Sequence, residues 1–399
     1  MRHRSFGGLL AGLLLAGTTG GLRAATPMEA PLPEGQTTPI ECEYAKDEPD
    51  IPRDYSGIAP DKGTYHYNVY VPEGYAAQAP HRYPCVFIAD PGGSAHLGNL
   101  EARVKRDHWI AVMLVESKNG PFGPIAGNFL AAHDDAVKRL RIQEGLKFTT
   151  GMSGGARASS VFAGLRPGFA GAVLQGAGFA GTYASVRRSK ALAIYATFGD
   201  KDGNVKEVDD LKRHLAGVRF QYAVFPGGHE WAPVDVIDRA WDWMEEQALF
   251  NSGPVSAGVA AHFFGLRMAR VGEAGATPMA KLETLAWLDK LAVKAKLEAA
   301  PETKDQVKQV RDQLKDIRQD AALKLEVVAF DAYARAKEKE AILRNAFGPS
   351  RPTGAALKQA QTTVLDAYKA VADKHKDTEY GKKAEERMGQ LNKEYETAK

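Results

Sequence analysis

Gly151-Met152-Ser153-Gly154-Gly155 has the spacing G-x-S-x-G. A serine hydroxyl attacks well only when a base takes its proton. Glycines two residues to either side let the serine occupy a sharp turn where a larger neighbour would collide with the adjoining strand or helix. The plainer alternative is a glycine-rich turn and nothing more. The candidate base is His229, in Pro226-Gly227-Gly228-His229-Glu230-Trp231, because it sits on a glycine turn just past an expected strand. His66, His81, His96, His108, His133, His214, His262 and His375 lack that context and read as surface or internally satisfied side chains. A catalytic imidazole needs a carboxylate to orient it and steady its positive charge. Gly199-Asp200-Lys201-Asp202-Gly203 offers two. Asp202 is preferred, since a few residues are needed to carry the carboxylate off the strand, and Asp200 is the reserve. Acyl transfer would build negative charge on the substrate oxygen, and two backbone N–H groups should await it. Gly154, directly after Ser153, is one. The loop Asp90-Pro91-Gly92-Gly93-Ser94 should supply the other. Pro91 has no N–H, so Gly93 is the first choice and Gly92 the second.

The elements that would hold these groups are short and apolar. Tyr65, Tyr67, Val69 and Val71 alternate with polar residues, as in a half-buried strand. Val86–Ala89, Ile110–Val115, Phe148–Thr150, Ala172–Leu174, Leu192–Ala196 and the Phe220/Tyr222/Val224 set are further strands, most of them ended by Gly or Pro. Helical spacing appears at 129–141, 156–166 and 205–217. Strands alternating with helices predict an α/β fold, a mostly parallel sheet covered on both faces. In such sheets reactive groups gather at the carboxyl ends of the strands, where Ser153, Asp202 and His229 all fall.

Over residues 60–248 these motifs resemble the α/β-hydrolase superfamily. More narrowly they resemble secreted esterases related to poly(3-hydroxybutyrate) depolymerases, feruloyl and acetylxylan esterases, and dienelactone-hydrolase-like proteins. The order Ser153, Asp202, His229 is the one that fold uses. The resemblance implies a serine hydrolase working through an acyl-enzyme, with no metal or organic cofactor. One departure is visible: Pro91-Gly92 stands where the oxyanion loop usually carries His-Gly. The short stretches 176–191 and 203–220 leave little room for a large lid, which favours an open cleft and an exposed ester on a polymer, glycan or peptide-like substrate. Activity is expected to fall in acid, because a protonated His229 cannot act as base.

The 399 residues carry 52 Lys+Arg against 49 Asp+Glu, a formal charge of +3, too little to build the field of a nucleic-acid binder. Arg2, His3 and Arg4, the apolar run through Leu9–Leu15, and small residues at Ala24 and Ala25 have the layout of a secretory signal peptide. Export to a periplasmic or extracellular location follows, with residues 1–25 removed, no membrane span left and an irregular segment at 26–59. Cys42 and Cys85 could then form one bridge or remain separate thiols. Residues 1–250 hold 31 of the 40 glycines. The hydrolase domain is placed at 60–250, a linker at 251–278 and an all-α helical module at 279–399. In that module Val307, Val310, Leu314, Ile317 and Ala321 make one apolar seam. Val364, Tyr368 and Val371, then Tyr380, Ala384, Met388 and Leu391, make a helix pair loosely resembling a tetratricopeptide-type hairpin. Such a tail either docks a protein partner or packs on the rest of the chain. Three functional readings remain: an exported carboxylic-ester hydrolase, a serine peptidase on the same fold, and a non-catalytic envelope protein using the fold as scaffold.

Overall fold

Strands β1 (Thr37–Tyr44), β2 (Gly63–Tyr70), β3 (Tyr83–Ala89), β4 (Ile110–Leu114), β5 (Ile142–Met152), β6 (Phe169–Gln175), β7 (Ala193–Gly199) and β8 (Arg219–Phe225) form one sheet in the order β1-β2-β4-β3-β5-β6-β7-β8. β2 is antiparallel to β1 and to β4, and every other adjacent pair is parallel. The computed structural model describes residues 32–46, 51–52, 57–76, 81–180, 192–253, 255–271, 277–344 and 352–397. The expected leader at 1–25, and 181–191 of the stretch judged too short for a lid, lie outside them. Strands β3, β4, β6 and β7 are buried at every residue, as a sheet covered on both faces requires.

Helices α1 (Glu101–Arg106), α2 (Phe122–Arg139), α3 (Gly154–Leu165), α4 (Glu207–His214) and α5 (Val234–Glu246) alternate with the strands. On one side, Phe129 of α2 stacks on Phe162 of α3 with centroids 4.2 Å apart. On the other, Trp109 stacks on Phe148 at 5.1 Å, and Trp241 of α5 meets both edge-on.

Two boundaries read from the sequence need correction. The segment 26–59, expected to be irregular, contains β1. Its inward Cys42 and Tyr44 are buried while the intervening Glu41 and Glu43 are exposed, a strand alternation hidden in a Pro- and Thr-rich stretch. The linker expected over 251–278 is largely helix α6 (Ala257–Val271), with Ala260, Phe263 and Phe264 buried in the main core. That core continues into α7 (Pro278–Ala295) and α8 (Pro301–Gln319) through Leu285, Leu288, Leu291, Val307, Val310 and Leu314. A buried ionic cluster pins the same junction. Arg103 of α1, 1% exposed, lies within 3.2 Å of Asp107, 3.0 Å of Asp242 and 2.9 Å of Glu245, and Arg267 of α6 reaches Glu245 at 2.6 Å. Burial pushes the Glu245 carboxyl up, but Arg103 and Arg267 outweigh it and hold the group below the usual carboxylate range.

Helices α9 (Ala321–Arg344), α10 (Gly354–Lys374) and α11 (Glu379–Thr397) have a core of their own, built on Ala336, Val364, Tyr368, Val371, Ala384 and Leu391. The predicted seam from Val307 to Ala321 therefore crosses a helix break. Asp320 interrupts it and caps α9 by accepting the Leu323 N–H at 2.9 Å. Among the described residues no helix is long and apolar enough to cross a membrane.

Cys42 and Cys85 are separate thiols. They lie on β1 and β3, three strand spacings or about 14 Å apart, beyond the reach of a disulfide. Burial raises both thiols, Cys42 to about 12, so neither supplies a thiolate at neutral pH.

Candidate active site

Strand β5 ends at Met152 and α3 begins at Gly154, so Ser153 alone makes the turn between them. Its backbone lies at φ 55°, ψ −116°, a region that costs a residue with a side chain about 1–3 kcal/mol. The glycines of the motif permit that turn by close approach. A Cβ at Gly155 would lie 2.7 Å from the Ala89 carbonyl carbon, and one at Gly151 would strike the Ala89 oxygen and the Gly155 backbone. The surroundings hold the strained turn in place: Ser153 N–H donates to Gln175 O at 2.8 Å, and Arg157 N–H to Ser153 O at 3.1 Å.

Three distant segments meet here. Ser153 Oγ lies 2.8 Å from His229 Nε2, and His229 Nδ1 lies 2.8 Å from Asp202 Oδ2. The Asp202 side chain is 2% exposed and the His229 ring 42%. The carboxylate is thus shielded from water while the imidazole opens on the surface where a substrate would lie. The second Asp202 oxygen accepts the Asn204 N–H at 2.8 Å, which fixes the carboxylate's rotation.

Asp200 does not touch the imidazole. It accepts the Gly227 N–H at 3.1 Å and so holds the loop that carries His229. Glu230 reinforces that loop by accepting the Gly228 N–H at 3.0 Å. Gln175, fully buried at the end of β6, was not singled out from the sequence. Its Oε1 accepts Ala232 N–H at 3.2 Å and Asn99 Nδ2 at 2.9 Å, tying the His229 loop to the loop after β3. An amide closing the apolar run Ala172-Val173-Leu174-Gln175 was the available signal.

The N–H groups expected to receive an oxyanion differ in their engagement. Gly154 N–H, at the first turn of α3, makes no hydrogen bond among the described residues and faces outward with the positive end of the helix dipole. Gly93 N–H instead donates to Asp90 O at 3.0 Å, closing a tight turn with Gly93 at φ 79°. Gly92 N–H donates to the Asp90 side chain at 2.8 Å. Both candidate donors, Gly93 and Gly92, are thus already engaged.

Reverse β2, the crossover order β4-β3-β5, and a serine on the strand–helix turn of the central strand together decide the architecture. The fold is that of the α/β-hydrolases. A helical region follows it in the chain. Neither a protein-family model nor a curated protein matches the sequence. Among solved structures the chain is similar to a ferulic acid esterase, at 12% identity over 53% of this chain and 99% of that one, TM-score 0.41. It is also similar to an S-formylglutathione hydrolase from Staphylococcus aureus, at 16% identity over 52% of this chain and 99% of that one, TM-score 0.39. An IroE-like serine hydrolase from Shewanella oneidensis matches at 15% identity over 71% of this chain and 99% of that one, TM-score 0.36.

Away from Ser153, a cavity of about 350 Å³ lies between β8 and helices α9–α11; none of Ser153, Asp202 or His229 lines it. His81, His108 and His262, expected to be surface or satisfied side chains, each bury a ring nitrogen that has no hydrogen-bond partner among the described residues, and the His81 and His262 rings lie 4.1 Å apart. Among the described residues no three His, Cys, Asp or Glu side chains are arranged to hold a metal ion.

Proposed function

We propose that this protein is an exported serine hydrolase that cleaves carboxylic esters through an acyl-enzyme on Ser153. The observation that carries the reading is the unbroken chain from Ser153 Oγ through His229 to Asp202, with both contacts at 2.8 Å. In this reading Ser153 Oγ attacks the acyl carbon while His229 Nε2 takes its proton. Asp202 holds the imidazole through Nδ1 and balances the charge it gains. His229 then hands the proton to the departing alkoxide. Water then attacks the acyl carbon as it gives a proton to the same nitrogen, the bond from that carbon to Ser153 Oγ breaks, and Oγ takes the proton back as the acid leaves. The half-exposed imidazole supports an ester presented on an exposed chain, such as a polymer or glycan, over a small molecule swallowed whole. Export is read from the leader-like layout of residues 2–25.

A fluorophosphonate probe tests the nucleophile: the wild-type protein is labelled at Ser153 and Ser153→Ala is not. Absence of label on the wild type, or equal label on the variant, overturns the reading. A panel of p-nitrophenyl esters of rising acyl length, with feruloyl, acetylated-glycan and peptide substrates alongside, then separates esterase from peptidase. Cleavage of the peptides alone would replace the ester with an amide.

A further inference from the structure

The first turn of the loop after β3, Pro91 to Ala95, has no backbone donor left for an oxyanion. Pro91 carries no N–H, Gly92 and Gly93 donate to Asp90, and Ser94 N–H donates to Val115 O at 2.8 Å. The loop after β4 lies alongside it. Asn119 N–H donates to Pro91 O at 2.8 Å, and Gly92 and Lys118 form an antiparallel bridge. This seam brings the Asn119 side chain over the first residue of α3. A Cβ placed on Gly154 would lie 2.8 Å from Asn119 Cγ and would collide with the amide oxygen. The Asn119 carboxamide is exposed and makes no hydrogen bond among the described residues.

On the reading of Ser153 as nucleophile, we propose that the Asn119 side-chain amide is the second oxyanion donor, facing the substrate oxygen beside the N–H of Gly154. A carboxamide presents two N–H donors at one end and an acceptor at the other, and a half-turn about Cβ–Cγ exchanges them. The negative oxygen selects the donor end. Backbone pairing through Asn119 N–H and Lys118 fixes the stem of the side chain, so little freedom is lost when the oxyanion forms. Gly154 acquires a second purpose in this arrangement: any side chain there would displace the amide while leaving the residue's own N–H intact.

The experiment reads the rate at which a fluorophosphonate modifies Ser153, because the phosphoryl oxygen of the probe occupies the same hole. Asn119→Ala should slow modification by about 10²-fold, the loss typical of one oxyanion donor. Asn119→Asp keeps the shape and should slow it at least as much, since a carboxylate offers no donor and repels the charge; a purely structural role would leave this variant near the wild-type rate. Gly154→Ala should also slow it, and the losses of Gly154→Ala and Asn119→Ala should not add, because both remove the same amide. Wild-type rates in Asn119→Ala and Asn119→Asp overturn this proposal and leave the nucleophile assignment standing. A wild-type protein that fails to react overturns the nucleophile assignment, and this proposal with it.

Discussion

Ser153 combines a strained backbone with a hydroxyl hydrogen-bonded to His229, and each side chain around it has a separable task in the proposed reaction. Ser153→Ala should lower kcat on the order of 10⁶-fold, since no other group can form the acyl-enzyme. Asp202→Asn should lower it about 10⁴-fold by presenting the wrong partner to His229 Nδ1. Asp200→Asn should cost no more than about tenfold, because its amide oxygen can still accept the Gly227 N–H as a neutral hydrogen bond. Steady-state kinetics on one active ester ranks the three, and an Asp200 loss as deep as the Asp202 loss would show that the wrong carboxylate had been assigned. The glycine spacing around Ser153 was legible because it is a local demand of the turn. The choice between Asp200 and Asp202 was not decided by type, for both are carboxylates on one turn. It was decided by the direction in which the chain leaves β7. The engagement of the Gly93 N–H with Asp90 O was not legible for a related reason: a sequence shows which residues own an N–H but not which carbonyl has already claimed it.

At the scale of elements, helix α6 is where structure and sequence part most clearly. Glycine and proline near its ends read as a linker, yet Phe263, Phe264, Arg267 and Arg270 tie it to the main core, to Asp107 just past α1 and to Glu245 of α5. Arg103→Ala, which removes the centre of that ionic cluster and leaves Asp107 and Glu245 buried with fewer partners, should destabilise the protein by about 3 kcal/mol. Urea unfolding measures this. A loss under about 1 kcal/mol, the size of an exposed pair, would show that the cluster is solvated. The neighbouring histidines give a pH dependence. Burial, then the charges of His81 and His108, hold the His262 imidazole down at about 3, and burial and Arg141 lower His81 in the same direction. Above the ordinary imidazole value both folded and unfolded chains are neutral at His262 and no cost arises. As pH falls below it, the unfolded chain takes up a proton that the folded chain refuses, so stability drops continuously toward pH 3. At pH 5 the loss from His262 is about 2 kcal/mol. Urea midpoints at pH 7 and pH 5 test the sign, and His262→Phe should narrow the gap between them. An unchanged gap would place the acid sensitivity elsewhere.

Across the whole molecule, the main core runs from the sheet through α6, α7 and α8 to Leu314, whereas α9–α11 close on a second cluster. A chain ending at residue 320 should therefore remain folded and keep its reactivity toward the fluorophosphonate. One ending at residue 250, the boundary suggested by composition, should aggregate, because it uncovers the apolar surface that Phe263, Phe264, Leu285 and Leu288 bury. Solubility and cooperative melting of the two truncations decide the matter; a soluble, sharply melting 250-residue form would make α6–α8 an accessory. The sequence alone determined the alternation of strands and helices, the candidate serine and histidine, and the amphipathic seams of the tail, because side-chain type and period are properties of neighbours along the chain. Tertiary structure alone decided which carboxylate meets His229, that β1 and α6 are regular elements, that Cys42 and Cys85 stand apart, and that Asn119 lies over Gly154. Each of those depends on where segments tens of residues apart cross, and the hydrogen bonds and buried surface that fix a crossing are shared between distant partners, so no single stretch of chain carries them.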